Sequence, residues 1–269
     1  MSLQKKHNYQ GHPYHLVDIS PWPFFAGLSA LNLTVGFVCY LHGYGDFLFK
    51  LGIFNILSVM FVWWRDVIRE STFEGQHTKK VQEGLKLGFL LFIVSEIMFF
   101  FAFFWAFFHF SLTPSIFIGG VWPPMGLTVL NPWKIPLLNT ILLVTSGVTL
   151  TLAHHAIIYG NKDLAVKALI ATVTIAGFFT YLQYNEYASA PFSISTTVYG
   201  SVFYMLTGLH GAHVLIGTLF LTTCLFRLYF NHFTRERHTG FETAAWYWHF
   251  VDIVWILLYI IVYLWGSYF

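Results

Sequence analysis

Charge is what this sequence has least of. Asp, Glu, Lys and Arg together make up 10% of its 269 residues, where a soluble domain carries about 25%. A chain so poor in charge cannot cover a globular surface with hydrated groups, so the composition excludes an ordinary soluble enzyme and implies a membrane protein. The formal net charge of +2 gives no sign of a nucleic-acid partner. Cysteine is nearly missing as well. Cys39 and Cys224 fall in different apolar segments expected near opposite membrane faces, far beyond the roughly 7 Å between Cα atoms that a disulfide tolerates. No disulfide framework is expected. An early apolar targeting run is also lacking, because the opening MSLQKKHNYQGHPYHLV returns to polar residues before any h-region forms. The chain is expected either to be made where it is used or to insert through its own spans. There is no internal repeat and no low-complexity linker.

What is plentiful is apolar length. Hydrophobic residues make up 57% of the chain and aromatic ones 20%, with many Trp and Tyr near the ends of apolar runs, as interfacial belts require. About 20 residues of helix cross a hydrocarbon core about 30 Å thick. Seven runs of that order emerge, about 21–41, 47–69, 79–110, 136–159, 164–187, 198–228 and 241–266. Residues 1–20 form a tail ahead of them. Short connections such as HGYGD and YGNKD make sequence neighbours antiparallel, and the longest connection, SLTPSIFIGGVWPPMGLTVLNPWKIP, is too rich in Pro and Gly to be helical throughout. The expected fold is one all-α transmembrane domain over residues 1–269.

Basic residues orient the bundle. With the N-terminus on one side, that side receives twelve of the 14 Lys and Arg, and the other receives only Lys50 and Lys134. Removing one helix would scramble the later loops, so the asymmetry supports both the count and the direction. The basic side is the cytoplasm-equivalent face, which in a mitochondrion is the matrix, and the C-terminus falls on the opposite face.

Four features could carry chemistry. The run LFIVSEIMFFFAFFWAFF holds one ionisable residue, Glu96, roughly 14 Å deep at 1.5 Å per residue. An ionised carboxylate there costs about 2.5–3.5 kcal/mol or more, so hydrocarbon favours the uncharged acid. Such an acid either donates one structural hydrogen bond to a neighbouring helix or handles protons. The second feature is a set of histidines, with His154 and His155 adjacent in one helix and His210 and His213 three apart on one face of another. Imidazoles on two helices can hold haem or copper, but no thiolate pair or HExxH accompanies them. Interhelical hydrogen bonding is the commoner use.

Third is WWRDVIRESTF, in which Trp63, Trp64, Arg65 and Arg69 stand at headgroup level, with Asp66 placed to pair with Arg69 at three apart and His77 in the next turn. Snorkelling anchorage and capture of a phospholipid phosphate are compatible roles for them. Last are His7, His12 and His15 on the basic side, which either buffer protons or belong to a solvated tail. A solute transporter would show broken helices, repeats and midplane polar clusters on several spans. One midplane acid and no repeat weigh against it.

The strings PWP, WWRDVIREST, GLKLGFLLFIVSE, FFWAFFH, WPP, PLLNT, AHHA, VYGSVFY, TGLHGAHV and WYWHFVDIVW resemble, in order and at matching spacing, the cytochrome c oxidase subunit III family. The resemblance runs from about His12 to Gly266. It implies a seven-helix bundle with the first two helices splayed from the other five by a lipid-filled V-shaped cleft. It implies a non-redox core subunit of the respiratory oxidase, with no catalytic residue and no metal of its own. Haem a and copper belong to partner subunits I and II, accessory subunits complete the assembly, and bound phospholipids fill the cleft, with cardiolipin a candidate. The resemblance makes Glu96 the family's intramembrane carboxyl and assigns Arg65, Arg69, His77 and Arg227 to lipid headgroups. It leaves His154, His155, His210 and His213 as interhelical polar groups and matches His15 to the family's near-terminal histidine. The chain departs at STTVYGS, where many relatives carry an acid after the first Ser. The expected location is the mitochondrial inner membrane.

Overall fold

The computed structural model describes residues 12–267, so His7 lies outside the described residues. Among these residues there are seven helices long and apolar enough to cross a membrane: α1 (Trp22–Leu41), α2 (Phe47–Thr72), α3 (Lys79–Leu112), α4 (Ile135–Tyr159), α5 (Lys162–Ser189), α6 (Val198–Tyr229) and α7, which starts at Thr239. The final turns of α7 widen to a π-helical pitch over Tyr259–Leu264 and tighten to 3-10 over Trp265–Ser267. The chain divides into two compact units, Met1–Leu85 and Lys86–Phe269.

In the first unit α1 and α2 form an antiparallel hairpin turned by residues 42–46, where Gly43 and Gly45 take positive φ. The helices approach backbone to backbone. A Cβ built on Gly36 would lie 2.6 Å from the Phe49 amide nitrogen, and one on Gly52 would lie 2.6 Å from Leu33 Cα. Hydrocarbon supplies no hydrophobic drive between helices, so small residues that allow such contact do the holding. Across the far end of the hairpin, the Trp22 indole donates to Asp66 Oδ2 at 2.7 Å.

In the second unit α4, α5, α6 and α7 enclose a common core that includes Leu143, Leu150, Leu169, Leu206, Leu221, Trp248 and Trp255. Several polar groups in that core are paired between helices, as a medium poor in water favours. The Trp248 indole donates to Ser146 at 2.9 Å and the Trp255 indole to Thr140 at 3.0 Å, both from α7 to α4. Thr149 and Thr172 join α4 to α5 at 2.8 Å, and the Tyr187 hydroxyl donates to Thr207 of α6 at 2.7 Å. The α3 segment of this unit meets α6 and α7 through large side chains: Phe89 lies beside Phe220, Phe92 stacks on Tyr247, and Phe107 meets Trp265. The α3–α4 connection is irregular, with left-handed Gly119, Gly120 and Gly126. It tucks the buried Trp122 between Phe107 and Tyr199.

Candidate functional site

Glu96 of α3 meets His213 of α6, with Oε2 and Nε2 2.7 Å apart. The other ring nitrogen, Nδ1, lies 2.8 Å from the Leu209 carbonyl one helical turn earlier. A carbonyl only accepts, so Nδ1 carries a hydrogen. Nε2 then either accepts from a protonated carboxyl or donates to a carboxylate from a doubly protonated ring. In both cases one proton is shared between the two groups and the pair is neutral overall, which is the form that hydrocarbon tolerates. The short separation suits a charge-assisted bond. Aromatic side chains wall the pair: Phe100 is 5.0 Å from the His213 ring, Tyr247 stacks on it at 6.2 Å, and Phe250 stands 6.4 Å away. The Glu96 side chain keeps 21% exposure and that of His213 only 9%, so the acid lies at the rim and the imidazole inside.

The structure parts the histidines that sequence spacing grouped. His210 turns inward to the Val251 carbonyl of α7 at 3.2 Å and lies against Trp255, while its neighbour on the same helix faces Glu96. No two-histidine chelate forms between them. His154 points into the protein toward His238 and Phe241, whereas His155, one residue on, is exposed.

Two further carboxyls are more buried than Glu96, and one of them, Asp252, lies midway along the span Thr239–Ser267, so Glu96 is not the lone mid-span acid that the sequence suggested. Glu186 retains 2% exposure and Asp252 8%. Neither Glu186 oxygen has a hydrogen-bond partner among the described residues. Asp252 stands 3.8 Å from His249, and a Cβ on Gly147 would meet its Oδ2 at 2.8 Å. The glycine in α4 is the space the carboxyl occupies.

At the end of α2, Asp66 pairs with Arg65 rather than Arg69. Arg65 Nη2 lies 2.8 Å from Oδ1 while Oδ2 takes the Trp22 indole. The tryptophan from α1 draws the carboxylate sideways, and the adjacent arginine is the one within reach. Arg69 and Trp64 are exposed and Trp63 is half-buried. His77 is half-buried and meets His15 edge to face at 5.8 Å, with Glu70 close enough for the three to face one point. His12 is exposed, and its Nδ1 accepts from the Tyr14 amide.

In the second unit the helix ends that the basic residues mark do gather. Lys86 of α3 bonds Glu242 of α7 at 2.5 Å, and Lys162 of α5 donates to the Tyr229 carbonyl of α6 at 2.8 Å. Arg227 lies over the Phe233 ring at 4.5 Å, its Nε buried without a partner among the described residues. His232, in the connection after α6, is pushed below the usual histidine range by burial and then by the Arg227 charge. Farther along α3, an apolar groove of about 600 Å³ is lined by Phe101, Phe104, Trp105, Phe108, Leu112 and Ile261.

Comparison with known proteins points one way. The family model described as cytochrome c oxidase subunit III matches residues 12–267. Cytochrome c oxidase subunit 3 of Arabidopsis thaliana and that of Triticum aestivum are each 60% identical over 260 residues, covering 96% of this chain and 98% of theirs. The protein of the same name from Prototheca wickerhamii is 58% identical over 258 residues, covering 95% and 98%.

Proposed function

The chain belongs to the cytochrome c oxidase subunit III family, and on that premise we propose how it serves the assembly. As a member it is a membrane-embedded core subunit of the mitochondrial respiratory oxidase, with other oxidase subunits as its partners. The proposal is that it holds phospholipid and steadies the catalytic subunit and its proton-uptake route, while haem a and copper reside in subunits I and II. The proposal treats the seven spans as one transmembrane domain. The N-terminus faces the matrix and the C-terminus the intermembrane space of the inner membrane.

The observation that carries the lipid role is Arg227. A half-buried guanidinium at the basic end of α6, with no carboxylate partner among the described residues, has donors in want of an acceptor, and a lipid phosphate reaching its accessible edge supplies one. Trp63, Trp64, Arg65, Arg69 and His77 offer a second headgroup position at the end of α2. The apolar groove along α3 suits an acyl chain. Glu96 and His213 fasten α3 to α6 with a shared proton, and His12 and His15 together with His7 collect protons at the surface.

Native mass spectrometry of the purified oxidase with its lipids retained tests this. Arg227→Leu is expected to cost at least one bound phospholipid, cardiolipin included among those scored, with subunit stoichiometry unchanged. An unaltered lipid complement in that variant would defeat the assignment.

A further inference from the structure

The basic end of the second unit holds a cluster that lipid binding does not use. His154, near the end of α4, His238, the residue capping α7, and Glu242, one turn into α7, each present one ligand atom, and these atoms all lie within 4.8 Å of one another. The two rings meet edge to face at 5.5 Å. His238 Nδ1 lies 3.0 Å from the Thr234 carbonyl and donates to it, which leaves Nε2 with its lone pair facing Glu242 Oε1 at 3.8 Å. That gap is too long for a hydrogen bond. His154 Nε2 is buried with no partner among the described residues. The second Glu242 oxygen is held by Lys86 at 2.5 Å.

We propose that His154, His238 and Glu242 form a reversible zinc site clasping the end of α4 to the start of α7. The donor set is two imidazole nitrogens and one carboxylate oxygen, which suits zinc with water in a fourth position. Calcium and magnesium demand shells of oxygen and are poorly served by it. Donors around a tetrahedral zinc stand about 3.3 Å apart at its usual bond lengths, so the side chains need close by at most about 1.5 Å to bind. Outer partners are already in place: a backbone carbonyl fixes the tautomer of one histidine, and an ammonium orients the carboxylate. This is how metal-binding side chains are normally supported. The Lys86 charge also weakens the hold on a dication, so the site fills and empties with zinc concentration. His155, adjacent in sequence but exposed, takes no part.

The test uses the intact, detergent-purified oxidase, stripped with a chelator and then titrated with zinc chloride. Anomalous diffraction at the zinc edge is expected to show a peak about 2.0–2.2 Å from all three side chains. In the His154→Gln and His238→Gln variants, occupancy at that position is expected to need at least tenfold more zinc, while His155→Gln behaves as the native protein does. No peak there at millimolar zinc, or a peak that persists unchanged in His238→Gln, overturns the proposal. Should either variant fail to assemble, the diffraction result on the unaltered protein decides the matter, since it needs no substitution.

Discussion

A single proton shared between Glu96 and His213 makes different substitutions unequal. Glu96→Gln keeps a donor aimed at Nε2, so assembly and initial turnover are expected to change little. His213→Leu removes the partner and leaves a carboxyl unmatched against aromatic walls, which costs about 1–3 kcal/mol. Thermal unfolding of the assembly checks both, and the double variant should lose less than the sum of the two single losses. A collapse of proton pumping in Glu96→Gln with subunits and lipids retained would instead make the acid an obligatory carrier. His232 lies outside the spans and makes a pH prediction. Its folded-state value is lowered by burial and by Arg227, so the unfolded chain binds more protons as pH falls. The stabilising contribution is fully present above about 6.5, the unperturbed histidine value, and is lost as pH falls toward the folded value. Acid unfolding of His232→Gln, followed by circular dichroism, is expected to show a shallower slope just below that pH.

Elements were more legible in the sequence than the contacts between them. Each span meets the length and hydropathy that crossing requires, and Gly, Pro and charge mark its ends, so seven helices could be read directly from the residues. The Glu96 partner could not be, because His213 lies 117 positions away and only packing brings the two together. The same limit misassigned Asp66, whose partner was decided by Trp22 from the neighbouring helix. Depth along a helix also proved a poor guide to burial, as Glu186 shows. It sits three residues from the end of α5, yet it is nearly sealed. The α1–α2 hairpin illustrates what can be predicted once the packing is known. Gly52→Leu drives a side chain into the Leu33 backbone, where nothing can yield cheaply, and the hairpin should open at a cost of about 1–3 kcal/mol or more. Gly27→Ala, with nothing within 4 Å of its built Cβ, should be neutral or slightly stabilising. Proteolysis at the turn 42–46 is expected to accelerate in the first variant and not in the second.

At the scale of the whole molecule the decisive asymmetry is electrostatic. Insertion holds Lys and Arg on the side where the chain is made, and twelve of the 14 basic residues fall on one side if the seven apolar helices alternate. The ion pairs and cation contacts of Lys86, Lys162 and Arg227 gather at that same end within the second unit, so the charge that orients the chain is also the charge that organises its surface there. The opposite end carries the long irregular connection between α3 and α4, with exposed Ile116, Phe117 and Met125. Protease applied to inner-membrane vesicles with the matrix face outward is therefore expected to cut the connections at 73–78 and 230–238 and to spare 113–134. Mitoplasts, which present the other face, should show the reverse. Cleavage at both groups of connections from one side of a sealed membrane would break the alternation on which the orientation rests. Resistance of 230–238 that appears only when zinc is added would couple this topology to the cation clasp, since His238 closes that connection.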